Sequence, residues 1–297
     1  MLQDLHAAGA TWDSLTCRNA AGGGHLDCLR YAHENGCPWD EETCANAAGN
    51  GRTECLAYAH ENECPWGEWT CSRAATGGHL DCLKYSREMG CAWDFWTCAC
   101  AASLDCLKYA RENGCPWNKF TCTMSAVSGR LDCLVYAHEN GCPWESGTCA
   151  GAAWRGHLDC LKYARENGCD WNVWTCASAV RGGHLDCLVY AHENGCAWDA
   201  STCGLAIEAG RLDCLAYAHE RGCAFPTEWT AVYDSSCAVA RDHLALRRAS
   251  ASKVSRACRA WLAKRRADVA LVLWGRWGRA APRPPAGQRG GVKYVEI

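Results

Sequence analysis

The tripeptide Leu-Asp-Cys occurs at 26–28, 80–82, 104–106, 131–133, 158–160, 185–187 and 212–214, and Thr53-Glu54-Cys55 fills the one gap in the series. The step is 27 residues except between Cys82 and Cys106, where it is 24. Trp keeps the same beat at 12, 39, 66, 93, 117, 144, 171 and 198, and Phe225 takes the ninth place. Such a chain is confined to architectures in which one short unit stacks on copies of itself. Eight full repeats span 12–224, with partial units at both ends of a repeat region covering 1–240. Leu2, Leu5, Gly9 and Ala10 fit the close of a preceding unit.

The commonest unit reads W-[DN]-x-x-T-C-A-x-A-A-x-x-G-H-L-D-C-L-K-Y-A-x-E-N-G-C-P. Asp or Asn after Trp can cap a helix by accepting from its free N–H groups. The Thr-Cys-Ala-x-Ala-Ala stretch is small and helix-tolerant, and Gly then breaks it. A second helix runs from His-Leu-Asp to Glu-Asn, with Leu, Leu and Ala at i, i+3 and i+6 on one stripe. Gly before Cys-Pro ends it. Two helices of ~10 residues cannot bury their apolar faces alone, whereas stacked pairs share one continuous core.

The unit resembles an ankyrin repeat. Ala47-Ala48, Gly51, the Leu56 region and Gly195-Cys196 fall where that family has its Ala-Ala, Gly-His, aliphatic second helix and Gly-Ala. It departs in length, since that family uses about 33 residues and places a β-turn finger between units. Here only Cys-Pro-Trp loops remain. The resemblance implies an all-α, ankyrin-like α-solenoid and a protein-binding scaffold.

Comparison among the eight copies separates stacking positions from variable ones. Numbered from Trp, places six, nine and ten are Cys and small residues, and at 100° per residue they oppose places four, eight and eleven. That outward stripe is polar or small at Leu15, Asn19, Gly22, Glu42, Asn46 and Gly49. It then becomes aromatic and apolar at Trp69, Trp96, Phe120, Met124, Val127, Trp154 and Trp174, with Arg73 and Arg181 among them. Large apolar residues on a solvent face mark a contact surface. Two readings are open: the rings bind a protein partner on the concave first-helix face, or they fold back onto neighbouring repeats. The Trp at place one occurs in every copy and is expected in the loop layer.

Of 27 Cys, 24 occupy three fixed places per unit, and free Cys packs as a small hydrophobe. Metal binding finds support only in the C-x-C of Cys98 and Cys100, without a second pair. A thiol-based metal or redox buffer rests on the cysteine count alone. Reduced, buried thiols are expected, and within a unit only the loop Cys and the Thr-Cys residue come close enough to pair. Histidines follow the repeat and are read as structural. With no phosphate loop, nucleophile elbow or non-repeated carboxylate pair, no enzymatic activity and no cofactor are expected.

Residues 1–239 hold 16 Lys+Arg against 30 Asp+Glu, whereas 240–297 hold 14 against 3. An acidic body thus precedes a basic tail, residues 241–297, helical over 244–278 and disordered from Pro282 to Gly291. Arg256, Arg259, Trp261, Lys264, Arg265 and Arg266 form its amphipathic basic face. Such a segment suits a calmodulin-like protein, nucleic acid or an anionic membrane, or docks on the acidic body. Val254, Arg259, Ala260 and Lys264 resemble part of a calmodulin-binding IQ motif, with Ser255 where Gln is expected. The N-terminus lacks a signal-peptide pattern, and the run Val269–Trp274 is shorter than the ~20 residues a membrane span needs. A soluble monomer is expected, cytoplasmic, with the nucleus left open.

One unit departs from the rest. Ala102-Ser103-Leu104 lacks the three residues that supply Gly-His elsewhere. The turn in this fourth unit is expected to tighten and its interfaces to be the weakest of the array.

Overall fold

A computed structural model describes residues 11–223. The expectations made for residues 1–10 and 224–297, the basic tail among them, lie outside these residues.

The described chain is a stack of eight helix pairs. The first helices are α1 (Ser14–Gly23), α3 (Glu41–Gly49), α5 (Glu68–Gly77), α7 (Phe95–Ala99), α9 (Lys119–Val127), α11 (Ser146–Arg155), α13 (Val173–Gly182) and α15 (Ala200–Glu208). The second helices are α2 (Leu26–Glu34), α4 (Thr53–Glu61), α6 (Leu80–Glu88), α8 (Leu104–Glu112), α10 (Leu131–Glu139), α12 (Leu158–Glu166), α14 (Leu185–Glu193) and α16 (Leu212–Glu220). No strand occurs among the described residues.

The predicted caps form. Asp13, Asp94, Asn118 and Asn172 each accept from the N–H two residues on, and Asp40 makes a reciprocal capping box with Thr43. Gly at the break between helices is required twice over. Gly51 has φ +71, and a Cβ there would sit 2.6 Å from the His79 ring of the next unit. At the close of each second helix Gly takes positive φ, except in the second unit, where Glu63 adopts φ 63.

The core is built from small residues on one helix and Leu on the other. Cys17, Ala20 and Ala21 of α1 are buried, as are the counterparts Cys44, Ala47 and Ala48 or Cys71, Ala74 and Ala75, against Leu29, Leu56, Leu83, Leu107, Leu134, Leu161, Leu188 and Leu215. The second-helix stripe differs from expectation at its first member. Leu131 is exposed and its equivalents are half-buried, because this residue opens the helix at its outer edge. Cys133 and Leu134 carry the burial instead.

Small faces let first helices of adjacent units approach more closely than second helices do.

The loop layer is aromatic, as the repeated Trp predicts. Trp39 stacks on His33 of the preceding unit, centroids 3.8 Å apart, and meets Tyr58 edge-on at 6.3 Å. His33 Nδ1 in turn lies 3.1 Å from the Tyr58 hydroxyl. Where His is replaced by Arg, the guanidinium takes the same place: Arg87, Arg111 and Arg165 lie 4.2–4.5 Å over Trp93, Trp117 and Trp171. From Trp39 to Trp198 each Trp thus joins its unit to the preceding one.

The fourth unit absorbs its deletion differently from the sequence expectation. The turn does not tighten; α7 loses its last turn and keeps five residues, against nine or ten elsewhere. The exposed backbone is tied to both neighbours. The Ala102 N–H donates to Ala75 O at 2.8 Å, and Arg130 Nη1 donates to Ala101 O at 2.9 Å.

Candidate partner-binding face

Place four of each unit is the second residue of its first helix, immediately beyond the cap. In units four, five and seven the cap side chain holds the N–H of the ring-bearing residue itself: Asp94 that of Trp96, Asn118 that of Phe120, Asn172 that of Trp174. Buried Thr97, Thr121 and Thr175 follow directly and turn inward. The preceding ring therefore turns out to solvent.

The stripe rings are partly covered and partly open to solvent. Trp69 is 53% exposed, Trp96 37%, Phe120 41%, Trp154 43% and Trp174 64%, while the cysteines behind them are fully buried. Arg73 and Arg181 are also exposed, and Met124 and Val127 are half-buried.

The rings are not equally independent. Phe95, Trp96 and Phe120 form one cluster, with Trp96 and Phe120 stacked at 6.0 Å and Phe95 against Trp96 at 4.9 Å. Phe95 stands at place three, one step off the stripe, and was missed because helical phase alone assigns it elsewhere. Arg155 was missed for the same reason; its guanidinium lies 4.5 Å over the Trp154 ring. A basic residue beside a stripe aromatic was the available signal for it.

Charges on this side are partly matched. Arg73 reaches Glu42 at 3.7 Å, and Lys119 reaches Glu145 at 2.8 Å. Arg18 donates from Nε to Asp40 Oδ1 at 2.9 Å, and this bond holds the Asp40 carboxyl below its ordinary range. Unit six presents Gly147 and Gly151 at places four and eight, so Trp154 at place eleven is its only large stripe residue.

Burial pushes Cys17 up to about 12, and it likewise raises Cys133 and Cys187 to about 12. Twenty-five cysteines of the described residues are present as thiols. Among the described residues, no group of three or more His, Cys, Asp or Glu side chains could hold a metal ion. Nor is any described helix long and apolar enough to cross a membrane. Arg256, Arg259, Trp261, Lys264, Arg265 and Arg266 lie outside the described residues.

Repeated helix pairs, closer along the first-helix row and joined through an aromatic loop layer, settle the architecture. The described residues form an all-α solenoid of stacked helix pairs. The crystal structure of the human ASB11 ankyrin repeat domain is similar to it at 16% sequence identity, over 61% of this chain and 84% of that one, with a TM-score of 0.35. No family model matches the solenoid's sequence, and no curated protein matches it.

Proposed function

We propose that the solenoid is a non-catalytic scaffold that captures a protein partner on its first-helix face. One observation carries this reading: five large aromatic side chains stand exposed on first helices of units three to seven. Rings of this size bury on the order of 150 Å² each when fully covered, about half of which is still open here, and large apolar side chains exposed in successive units point to an interaction surface. Trp69, Trp96, Phe120, Trp154 and Trp174 act as anchors; Arg73, Met124 and Arg181 flank them. Anchors of this kind contribute ~2 kcal/mol or more when desolvated. The scaffold works as a monomer in the cytoplasm.

The test is capture by the full chain from a lysate, compared with a variant carrying Ala at all five aromatic positions. The variant is expected to keep its helical content and lose the partner. Retained capture would sink the reading. A chain ending at residue 240 assigns capture to the solenoid or to the basic tail, whose own binding to a calmodulin-like protein, nucleic acid or anionic membrane is the alternative.

A further inference from the structure

Each unit brings two of its three repeated cysteines together. The Thr-Cys residue of the first helix and the loop cysteine lie side by side: the first-helix Sγ approaches the loop cysteine's carbonyl at 3.8–4.0 Å in six units, and Cys44–Cys64 and Cys149–Cys169 interact in the other two. Backbone carbonyls fix the arrangement. In the third unit Cys71 Sγ donates to Cys91 O at 4.0 Å, and Cys91 Sγ donates to Gly67 O at 3.2 Å. The second contact recurs at 3.2–3.3 Å in every unit, so each loop thiol ties the end of its unit back to the first helix's cap.

The third cysteine of each unit behaves differently. It stands alone on its second helix, and Cys82 Sγ meets Thr53 Oγ1 of the preceding unit at 3.2 Å. Its nearest equivalents lie in adjacent units, roughly one helix-packing distance of 8–10 Å away, beyond the ~7 Å Cα separation a disulfide tolerates.

The geometry points to eight intra-unit dithiols that are sites of oxidative modification by a small-molecule disulfide, each closing into a staple between loop and first helix. The loop thiolate attacks one sulfur of the small disulfide, whose S–S bond breaks and releases one thiolate. The first-helix cysteine, losing its proton, then attacks the protein-side sulfur of the mixed disulfide and expels the second thiolate. Two protein thiols have lost two electrons and become one cystine. The small disulfide has gained them, and the two protons end on the two released thiols. In the third to seventh units the hydrogen bond between the two thiols lowers the loop thiol and, with burial, raises the first-helix thiol, in keeping with the loop thiol attacking first. Both sulfurs are buried, so local opening of the loop limits the rate. A closed staple ties the loop to its helix in the unfolded chain as well, and so stabilises the unit.

The test treats the reduced full chain with excess glutathione disulfide and titrates thiols in denaturant. Titration is expected to fall from 27 to a plateau of 11, with peptide mapping recovering Cys71–Cys91 and its seven equivalents. Melting temperature should rise by several degrees and return on reduction. Changing Cys71→Ser together with Cys91→Ser should lower the loss by two, and Cys82→Ser should leave it unchanged. Persistent glutathione adducts on loop cysteines, links between units, or a titration still at 27 once an exposed control dithiol is oxidised would overturn the proposal. Mapping of the unsubstituted chain decides the matter even where a Ser variant fails to fold.

Discussion

The Asp94 carboxylate accepts a hydrogen bond from the backbone N–H of Trp96 at 2.9 Å. The residue that starts α7 therefore also fixes the backbone of the residue that offers its ring to solvent. In a five-residue helix this cap satisfies a large share of the free N–H groups. Asp94→Ala is expected to cost about 1 kcal/mol, read as a lower denaturation midpoint at unchanged m-value.

Two tryptophans three residues apart separate scaffold from surface. Trp171 lies under Arg165 at 4.5 Å and edge-on to Tyr190 at 6.1 Å, whereas Trp174 is exposed. Trp171→Ala loses a cation–π contact, an aromatic pair and buried area, about 2 kcal/mol together. Trp174→Ala is expected to stay within about 0.5 kcal/mol of the parent. If both melt equally early, the ring of Trp174 belongs to the core.

Glu63 occupies the left-handed region that Gly takes in the other units. A side chain there costs roughly 1–2 kcal/mol, offset in part by the extra entropy Gly loses on folding. Glu63→Gly is therefore expected to stabilise the array by about 0.5–1 kcal/mol, measured by urea denaturation.

Burial, and then the Arg221 cation, hold the His192 imidazole below its ordinary value while it stacks on Trp198 and bonds Tyr217. The folded chain thus favours the neutral ring, and the unfolded chain takes up the proton first as pH falls. This contribution is complete above about pH 6.5 and is lost as pH drops through the folded value. Melting temperature should fall between pH 7.5 and 5, with a shallower slope in His192→Gln.

The shortened α7 leaves fewer first-helix contacts on either side of the fourth unit than its neighbours have. Amide exchange over residues 93–116 is expected to be faster than over the flanking units. Equal protection would show that the Ala102–Ala75 and Arg130–Ala101 bonds replace the missing turn.

Period and composition by themselves determined the helix pairs, their caps at Asp13, Asp94 and Asn172, and the burial of Cys and Ala on one face. Each of these depends on contacts within one unit or between identical units, and a repeated pattern records them eight times. The stripe's position at places four, eight and eleven was equally legible, because helical phase is local. Tertiary structure decided what the stripe residues touch. Phe95 joined the Trp96–Phe120 cluster, Met124 became half-buried and Arg155 settled over Trp154, since each depends on a neighbouring side chain that the repeat does not specify. The fourth unit's response was likewise a tertiary matter. Removing a helical turn left backbone groups that Ala75 and Arg130, residues of the neighbouring units, satisfy from both sides.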